Sequence, residues 1–296
     1  MPVELLRSLL LVSALDREGL HAARASHADA IVLDLEGIAP SQAEEARAVA
    51  RRAVAELHPG HRLWVRIHRT STFLAKDDIR ATAGGQVVGY VLPHTLSANH
   101  VRYVEALLRD AEAEAGLDDG ALRLIAVVES AEGLLNARDI ARATPRLVAL
   151  ALDGAGFCAD MGVERSRDGH ELQYARSHLA VCARAANLLA IDSAYPFLRE
   201  SQGLLAYVSQ ARQLGLHGMF VLTPEQAVTV NAVFRPTAEE VAYAQRLHAA
   251  HEEARQRGEE FAHLEGRIVD APRARRAQRI IELAAAIEAR EQQAAI

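Results

Sequence analysis

Lysine is almost absent from this chain: Lys76 is the only lysine among 33 lysine and arginine residues. An arginine side chain keeps its proton in proteins and does not form an imine with a carbonyl substrate. No predicted strand contains a lysine, and Lys76 falls in a stretch predicted to be helical, just after a strand. The sequence therefore argues against chemistry that proceeds through a lysine Schiff base.

Cysteine is scarce, and the chain has neither excess positive charge nor long apolar runs. The two cysteines, Cys158 and Cys182, are too few for a disulfide framework or a zinc site, which favours a reducing compartment. A net charge of −6 creates no field that would attract nucleic acid. The N-terminal run LLRSLLLVSAL is interrupted by Arg7 and is too short to cross a membrane. We expect a cytoplasmic protein without nucleic-acid or membrane partners.

Short apolar runs alternate with longer amphipathic stretches, among them residues 40–57, 98–115 and 171–186. This alternation is typical of a parallel sheet with helices outside it, and eight such units predict an α/β fold, a (β/α)8 TIM barrel over residues 1–235. A doubly wound open sheet is the alternative, but no Gly-x-Gly-x-x-Gly follows the first run. The eight predicted strands are RSLLLVSA, DAIVLDLE, RLWVRIH, VVGYVLP, LRLIAVVE, RLVALALD, LLAIDS and GMFVLT.

Residues 236–296 exceed what a barrel needs and predict a C-terminal helical extension. Two amphipathic segments, 237–257 and 273–294, are joined by GEEFAHLEGRIVDAP. The extension could pack against the outside of the barrel, or it could form an arm that reaches a neighbouring subunit. The pattern alone does not decide between the two.

Polar side chains stand at nearly every predicted strand end, where the active sites of such barrels lie. A single acid after a strand often only caps the next helix. Several buried carboxylates around one axis with one arginine, however, are costly unless a cation or a ligand compensates them. Hard carboxylate oxygens favour Mg²⁺ or Mn²⁺. The strand-end residues are Asp34, Glu36, Arg66, His94, Glu129, Asp153, Asp192 and Thr223.

With these residues in place, the chain resembles the citrate lyase β-subunit-like proteins of the HpcH/HpaI aldolase superfamily from about residue 7 to 285. Two features match family signatures. They are the acid pair Asp34 and Glu36 with the loop proline of ADAIVLDLEGIAP, and the arginine of VRIH. The resemblance continues through later, ordered segments. These are AVVESAEGLLNA, DGHELQYARSHLAVCARAANLLAIDSAY, FRPTAEEVAYAQR and EGRIVDAPRARRA.

The resemblance implies a (β/α)8 lyase, a trimer or hexamer, that uses Mg²⁺ to cleave or form a 3-hydroxyacyl thioester such as citryl-, malyl- or citramalyl-CoA. Its small-molecule partners would be an acyl-CoA and a keto acid. By motif, Arg66 would hold the substrate carboxylate or the thioester oxygen, and Glu129 would bind the metal. Asp34 and Glu36 would complete the catalytic set, and Asp270 would enter as an acid/base from the adjacent subunit.

The resemblance breaks at the site itself. Where the family's sixth strand ends in Gly-Ala-Glu-Asp, this chain has Asp153, Gly154, Ala155 and Gly156, so a glycine stands at the second metal-ligand position. His94 replaces a family lysine.

Three hypotheses follow from these departures. In the first, Asp153 joins Glu129 in holding a largely hydrated Mg²⁺. In the second, a metal-free pocket with His94 as general acid acts on another substrate, with His94 and Gly154 contacting it. In the third, the protein is a non-catalytic homologue that binds an acyl-CoA or serves as a subunit of a complex.

Overall fold

The computed structural model describes residues 5–56 and 62–294, and eight parallel strands within them close into a barrel. Each strand pairs with the next along the chain, and β8 returns to β1 with Met219 opposite Ser8. The predicted (β/α)8 barrel is therefore confirmed. The strands are β1 Ser8–Ser13, β2 Ala30–Asp34, β3 Arg62–Arg66, β4 Val87–Leu92, β5 Arg123–Val128, β6 Leu147–Leu152, β7 Leu189–Asp192 and β8 Gly218–Val221.

Helices connect the strands, and the predicted helix at 98–115 is observed with those bounds. The predicted segments 40–57 and 171–186 begin differently, because short 3₁₀ helices, Pro40–Gln42 and His170–Leu172, precede the α-helices there; residue 57 lies outside the described residues. The helices of the barrel are α1 Arg17–Arg24, α2 Ala43–Glu56, α3 Ala75–Thr82, α4 Ala98–Ala115, α5 Ala131–Leu135, α6 Ala137–Ile140, α7 Gly154–Met161, α8 Gln173–Ala185, α9 Ser201–Gln213 and α10 Pro224–Phe234.

The barrel interior is an apolar core. Alternate residues of a strand point to the same side, so Ala30 and Val32 of β2 and Ala149 and Ala151 of β6 join one buried cluster. The small alanine side chains leave room in this cluster for the Trp64 indole, which has no exposed surface. A filled interior leaves the strand ends as the place where polar side chains can meet.

Of the described residues, Leu5 and 234–294 form a second compact unit. It contains α11 (Ala238–Gln256), β9 (Ala262–Leu264), β10 (Arg267–Val269) and α12 (Ala271–Ala294). Its core includes Leu247 and Val269. The antiparallel β9–β10 hairpin was not predicted from the sequence, and α12 begins two residues before the predicted start. Packing of this extension on a neighbouring subunit remains a prediction.

Among the described helices, none combines the length and the apolar character that crossing a bilayer requires.

Candidate active site

Asp34 and Arg66 end two neighbouring strands, β2 and β3, in register with each other. The Arg66 guanidinium donates from Nε to Asp34 Oδ1 at 2.8 Å and from Nη2 to Oδ2 at 2.7 Å. Burial disfavours the Arg66 charge, but the hydrogen bond to Asp34 and its charge outweigh this effect and raise the pKa of Arg66. A guanidinium held by two parallel hydrogen bonds is fixed in orientation. The ion pair between these two strand-end residues was not predicted from the sequence.

A second arginine, Arg69, extends this network toward β5. Its Nε donates to Glu36 Oε1 at 2.9 Å, and its Nη2 lies 3.5 Å from Glu129 Oε2. Glu36 also lies 3.3 Å from Arg66 Nη2, so it stands between the two guanidiniums. The hydrogen bond to Glu36 is the main cause that raises the pKa of Arg69. Arg69 was not among the residues predicted from the sequence, although it stands three residues after Arg66 in the run VRIHR.

Glu129 follows β5, and only 7% of its side chain is exposed. Its Oε1 accepts a hydrogen bond from the backbone N–H of His94, after β4. Burial, and then the negative charge of Asp153, raise the pKa of Glu129, while the Arg69 charge acts against this rise. Glu129 is thus a buried acid whose negative charge is only partly compensated by the described residues around it.

His94 adopts a left-handed backbone conformation with φ of 49°, which is rare for a residue other than glycine. This conformation allows its N–H to reach Glu129. Its imidazole Nδ1 is buried without a hydrogen-bond partner in the described structure and lies 3.9 Å from Glu129 Oε1. Burial first, and then the charges of Arg69 and His100, lower the pKa of His94. His94 is therefore neutral at pH 7.

Asp153 follows β6 and caps α7. Its Oδ1 accepts hydrogen bonds from the N–H groups of Ala155 at 2.9 Å and Gly156 at 3.3 Å. After burial, the negative charge of Asp153 is the second cause that raises the pKa of Glu129. Asp153 thus serves as a helix cap and adds negative charge to the site through one and the same carboxylate.

Two glycines open α7, and the surrounding side chains explain both. A Cβ atom on Gly154 would collide with the Leu172 side chain and lie 2.8 Å from Ser193 Oγ. The N–H of Gly154 donates to Ser193 Oγ at 2.9 Å, so this N–H is already engaged within the protein. The Glu129 side chain fills the space beside Gly156. Contact of Gly154 with a substrate remains a prediction.

Not every predicted strand-end residue joins this group. Asp192 is completely buried, and the Arg176 guanidinium binds its Oδ2 from Nε at 2.9 Å and from Nη2 at 2.7 Å. Thr223 precedes α10, where its hydroxyl accepts the N–H of Gln226 at 3.3 Å. Asp270 is an exposed residue of the C-terminal unit and caps α12 through the N–H of Arg273 at 3.0 Å. Its role as an acid/base remains a prediction.

The fold and these strand ends define a (β/α)8 barrel with an arginine- and carboxylate-rich site. The HpcH/HpaI aldolase/citrate lyase family model matches residues 7–224. The chain belongs to this family of lyases and aldolases, as the sequence resemblance implied.

Three individual proteins illustrate the similarity. The chain is 36% identical over 259 residues to citrate lyase subunit beta of Leuconostoc mesenteroides subsp. cremoris, covering 87% of this chain and 86% of the relative. It is 31% identical over 266 residues to the (3S)-malyl-CoA thioesterase of Cereibacter sphaeroides, covering 89% of each. The structure of CitE from Mycobacterium tuberculosis in complex with magnesium, acetoacetate and coenzyme A matches with a TM-score of 0.74 and 27% identity, covering 94% of this chain and 98% of that one.

Proposed function

We propose that this protein is a Mg²⁺-assisted carbon–carbon lyase that cleaves or forms a 3-hydroxyacyl-CoA-type thioester of the citryl-, malyl- or citramalyl-CoA kind. Family membership supports the reaction class. The observation that carries the proposal is the buried Glu129 carboxylate, which Arg69 and Glu36 connect to the anchored guanidinium of Arg66. Such a site suits an anionic substrate together with a cation.

The described residues contain no cluster of three or more His, Cys, Asp or Glu side chains placed to hold a metal, so a magnesium ion here would be bound by two carboxylates. The raised pKa of Glu129 is caused partly by Asp153, which means that two carboxylates repel each other and would be stabilised by a cation. Mg²⁺ is commonly bound through one or two carboxylates and keeps several waters. Glu129 and Asp153 would hold it here. When bound, the ion would polarise the keto-acid oxygens and make that fragment a better leaving group. The same two carboxylates would also bind Mn²⁺.

Arg66 would bind the substrate. Its Nε and Nη2 donate hydrogen bonds to Asp34. Its Nη1 makes no hydrogen bond to any described residue, so Nη1 is available to a substrate carboxylate or thioester oxygen. Because Asp34 fixes the guanidinium plane, the substrate oxygen would be bound in one orientation. Glu36 supports the arrangement by holding Arg69.

His94 and Asp270 would complete the site. The neutral imidazole of His94 lies beside Glu129, where it would contact the substrate. Asp270, on an arm from an adjacent subunit of a homo-oligomer, would act as the acid or base at the enolate carbon. The sole lysine, Lys76, is an exposed residue of α3 and does not belong to a strand end. An imine is therefore not part of this proposal.

Hydrolysis of a malyl-type thioester is a second candidate, because the Cereibacter sphaeroides relative is a malyl-CoA thioesterase. The two reactions give different products. Carbon–carbon cleavage gives a 2-oxo acid and an acyl-CoA that keeps its thioester, whereas hydrolysis gives free CoA and a hydroxy acid.

The deciding experiment incubates the protein with malyl-, citramalyl- and citryl-CoA, with and without Mg²⁺, and separates the products by chromatography. We expect Mg²⁺-dependent acetyl-CoA and a 2-oxo acid, and loss of both in Glu129→Gln. Glu114→Gln is the matched control, since Glu114 forms an exposed ion pair with Arg80 outside the site. Free CoA as the product would favour hydrolysis. No turnover and no thermal stabilisation by Mg²⁺ would favour the non-catalytic homologue.

A further inference from the structure

Arg69 places a positive charge at the carboxylates where a metal ion would be needed. Its guanidinium donates to Glu36 at 2.9 Å and reaches Glu129 Oε2 at 3.5 Å. Among the described residues, Arg69 is the arginine that forms an ion pair with Glu129, and the His94 imidazole Nδ1 lies farther away, 3.9 Å from Glu129 Oε1. Arg69 is thus the counter-ion of the most buried acid in the site.

The position of Glu129 makes this contact important. The carboxylate is buried, and the nearby Asp153 adds negative charge. A unit positive charge at this range interacts strongly with a buried carboxylate, because the surrounding protein screens it less than water does. A divalent cation that binds Glu129 would meet repulsion from the same guanidinium. The two cations therefore compete for one carboxylate.

Arg69 also has room to leave. Its side chain is 42% exposed and lines an open cavity of about 430 Å³ together with Ser71, Phe73, His94 and Tyr103. No acid lines this cavity. Turning from Glu129 toward solvent would cost the guanidinium its hydrogen bond to Glu36 but would not disturb the core of the barrel.

We propose that Arg69 is a built-in counter-ion of Glu129 that a divalent cation must displace, so that Arg69 sets the metal affinity of the site. The inference rests on the proposed function in so far as Glu129 is the metal ligand. It concerns metal affinity only, and its test does not depend on turnover.

The test is a titration of the purified, metal-free protein with MgCl₂, followed by isothermal calorimetry and by the thermal unfolding midpoint. The variants are Arg69→Gln and Arg69→Met, both of which remove the charge and keep a long side chain. We expect each to bind Mg²⁺ at least about tenfold more tightly than the unchanged protein. Adding Glu129→Gln to Arg69→Gln should abolish this gain. Arg80→Gln, which removes an exposed guanidinium paired with Glu114, should leave the affinity unchanged.

Two results would contradict the counter-ion role of Arg69. If both Arg69 variants bind Mg²⁺ as weakly as the unchanged protein, more weakly, or not at all, the counter-ion role is wrong. A gain that persists without the Glu129 carboxylate overturns it too. Tighter Mg²⁺ binding in the Arg69 variants combined with no lyase activity in any assay would leave this inference standing and refute the proposed function.

Discussion

Gly156 lies directly against the Glu129 side chain: a Cβ atom on Gly156 would be 2.8 Å from Glu129 Oε2 and 2.9 Å from Glu129 Cβ. The carboxylate of Glu129 therefore occupies the volume that a side chain at 156 would need. The sequence resemblance places a second metal ligand at this position. With glycine there, Glu129 and Asp153 are the two carboxylates after β5 and β6 that are proposed to hold the metal.

Gly156→Ala should displace Glu129, because one of the two close contacts is with its Cβ, which cannot move without the backbone. Overpacking of this kind costs about 1–3 kcal/mol of unfolding free energy. We expect a lower thermal midpoint, a smaller Mg²⁺-induced stabilisation and reduced turnover. Gly37→Ala is the control, since a Cβ there would meet only Asp34 Oδ2 at 3.6 Å, an ordinary contact. An unchanged Mg²⁺ response in Gly156→Ala would show that the position of Glu129 is not critical.

Glu129→Gln should stabilise the metal-free protein at neutral pH. The pKa of Glu129 is raised in the folded state above its ordinary value of 4.5, so the folded protein binds its proton more tightly than the unfolded chain does. Stability then falls as pH rises from the unfolded value through the folded one. The gain in Glu129→Gln should be present at pH 7 in EDTA and disappear below pH 4.5.

Unfolding midpoints measured across this range check the prediction. In Glu114→Gln the sign should be reversed, because Arg80 lowers the pKa of Glu114. A Glu129→Gln variant that is less stable at neutral pH would mean that the contact with Arg69 outweighs the cost of burying the charge.

His68, just beyond β3, gives the fold a second pH dependence of the same sign at higher pH, because its pKa is also raised in the folded state. Its Nδ1 lies 2.7 Å from Asp78 Oδ2 and its Nε2 lies 3.1 Å from the Ile38 carbonyl oxygen. The hydrogen bond to Asp78 is the largest cause that raises the pKa of His68 above 6.5. The resulting stability is fully present below pH 6.5 and is lost as pH rises through the raised pKa.

Urea unfolding between about pH 6 and about pH 9 should therefore show a loss of stability that His68→Gln lacks. His178→Gln is a suitable control, because His178 is on the outer helix α8 and contacts Tyr174. A loss of equal size in His68→Gln would assign the pH dependence to another group.

The barrel could be predicted from the sequence because its signal is local. Each buried strand is a short run of apolar residues, and the ends of parallel strands must meet at one edge. The same rule predicted that strand-end residues such as Asp34 and Arg66 lie at one edge of the barrel, but it did not predict the ion pair between them. Glu129 could be selected because it ends β5 in the same way.

The remaining features depend on contacts between residues far apart in the sequence, which its hydrophobic periodicity does not predict. Arg69 stands in an irregular turn after β3, so the direction of its side chain could not be predicted. Asp192 looked like the other strand-end acids, but a distant helix supplies Arg176 to neutralise it. The β9–β10 hairpin has strands of only three residues, and its turn uses Glu265 and Gly266, both with positive φ, without the usual Asn-Gly signal.

Lys76→Arg should leave turnover unchanged. Lys76 is exposed on α3, and the proposed chemistry relies on carboxylates and guanidiniums that do not form imines. As a second test, the unchanged protein is incubated with a 2-oxo acid and cyanoborohydride and then analysed by peptide mass spectrometry. We expect no substrate-derived adduct at Lys76. A stoichiometric adduct that forms together with loss of activity would establish an imine mechanism and refute the metal-assisted one.

Glu129→Gln and Asp270→Asn should complement each other if Asp270 enters the site of an adjacent subunit. Each variant alone lacks one essential carboxylate in every site and should be inactive. In an oligomer reassembled from equal amounts of both, about one quarter of the sites would pair an intact Glu129 with an intact Asp270. Activity near that fraction of the unchanged protein, measured after co-refolding, is the expected result. Mixed variants that stay inactive, while unchanged protein regains activity after the same treatment, would place Asp270 outside any shared site.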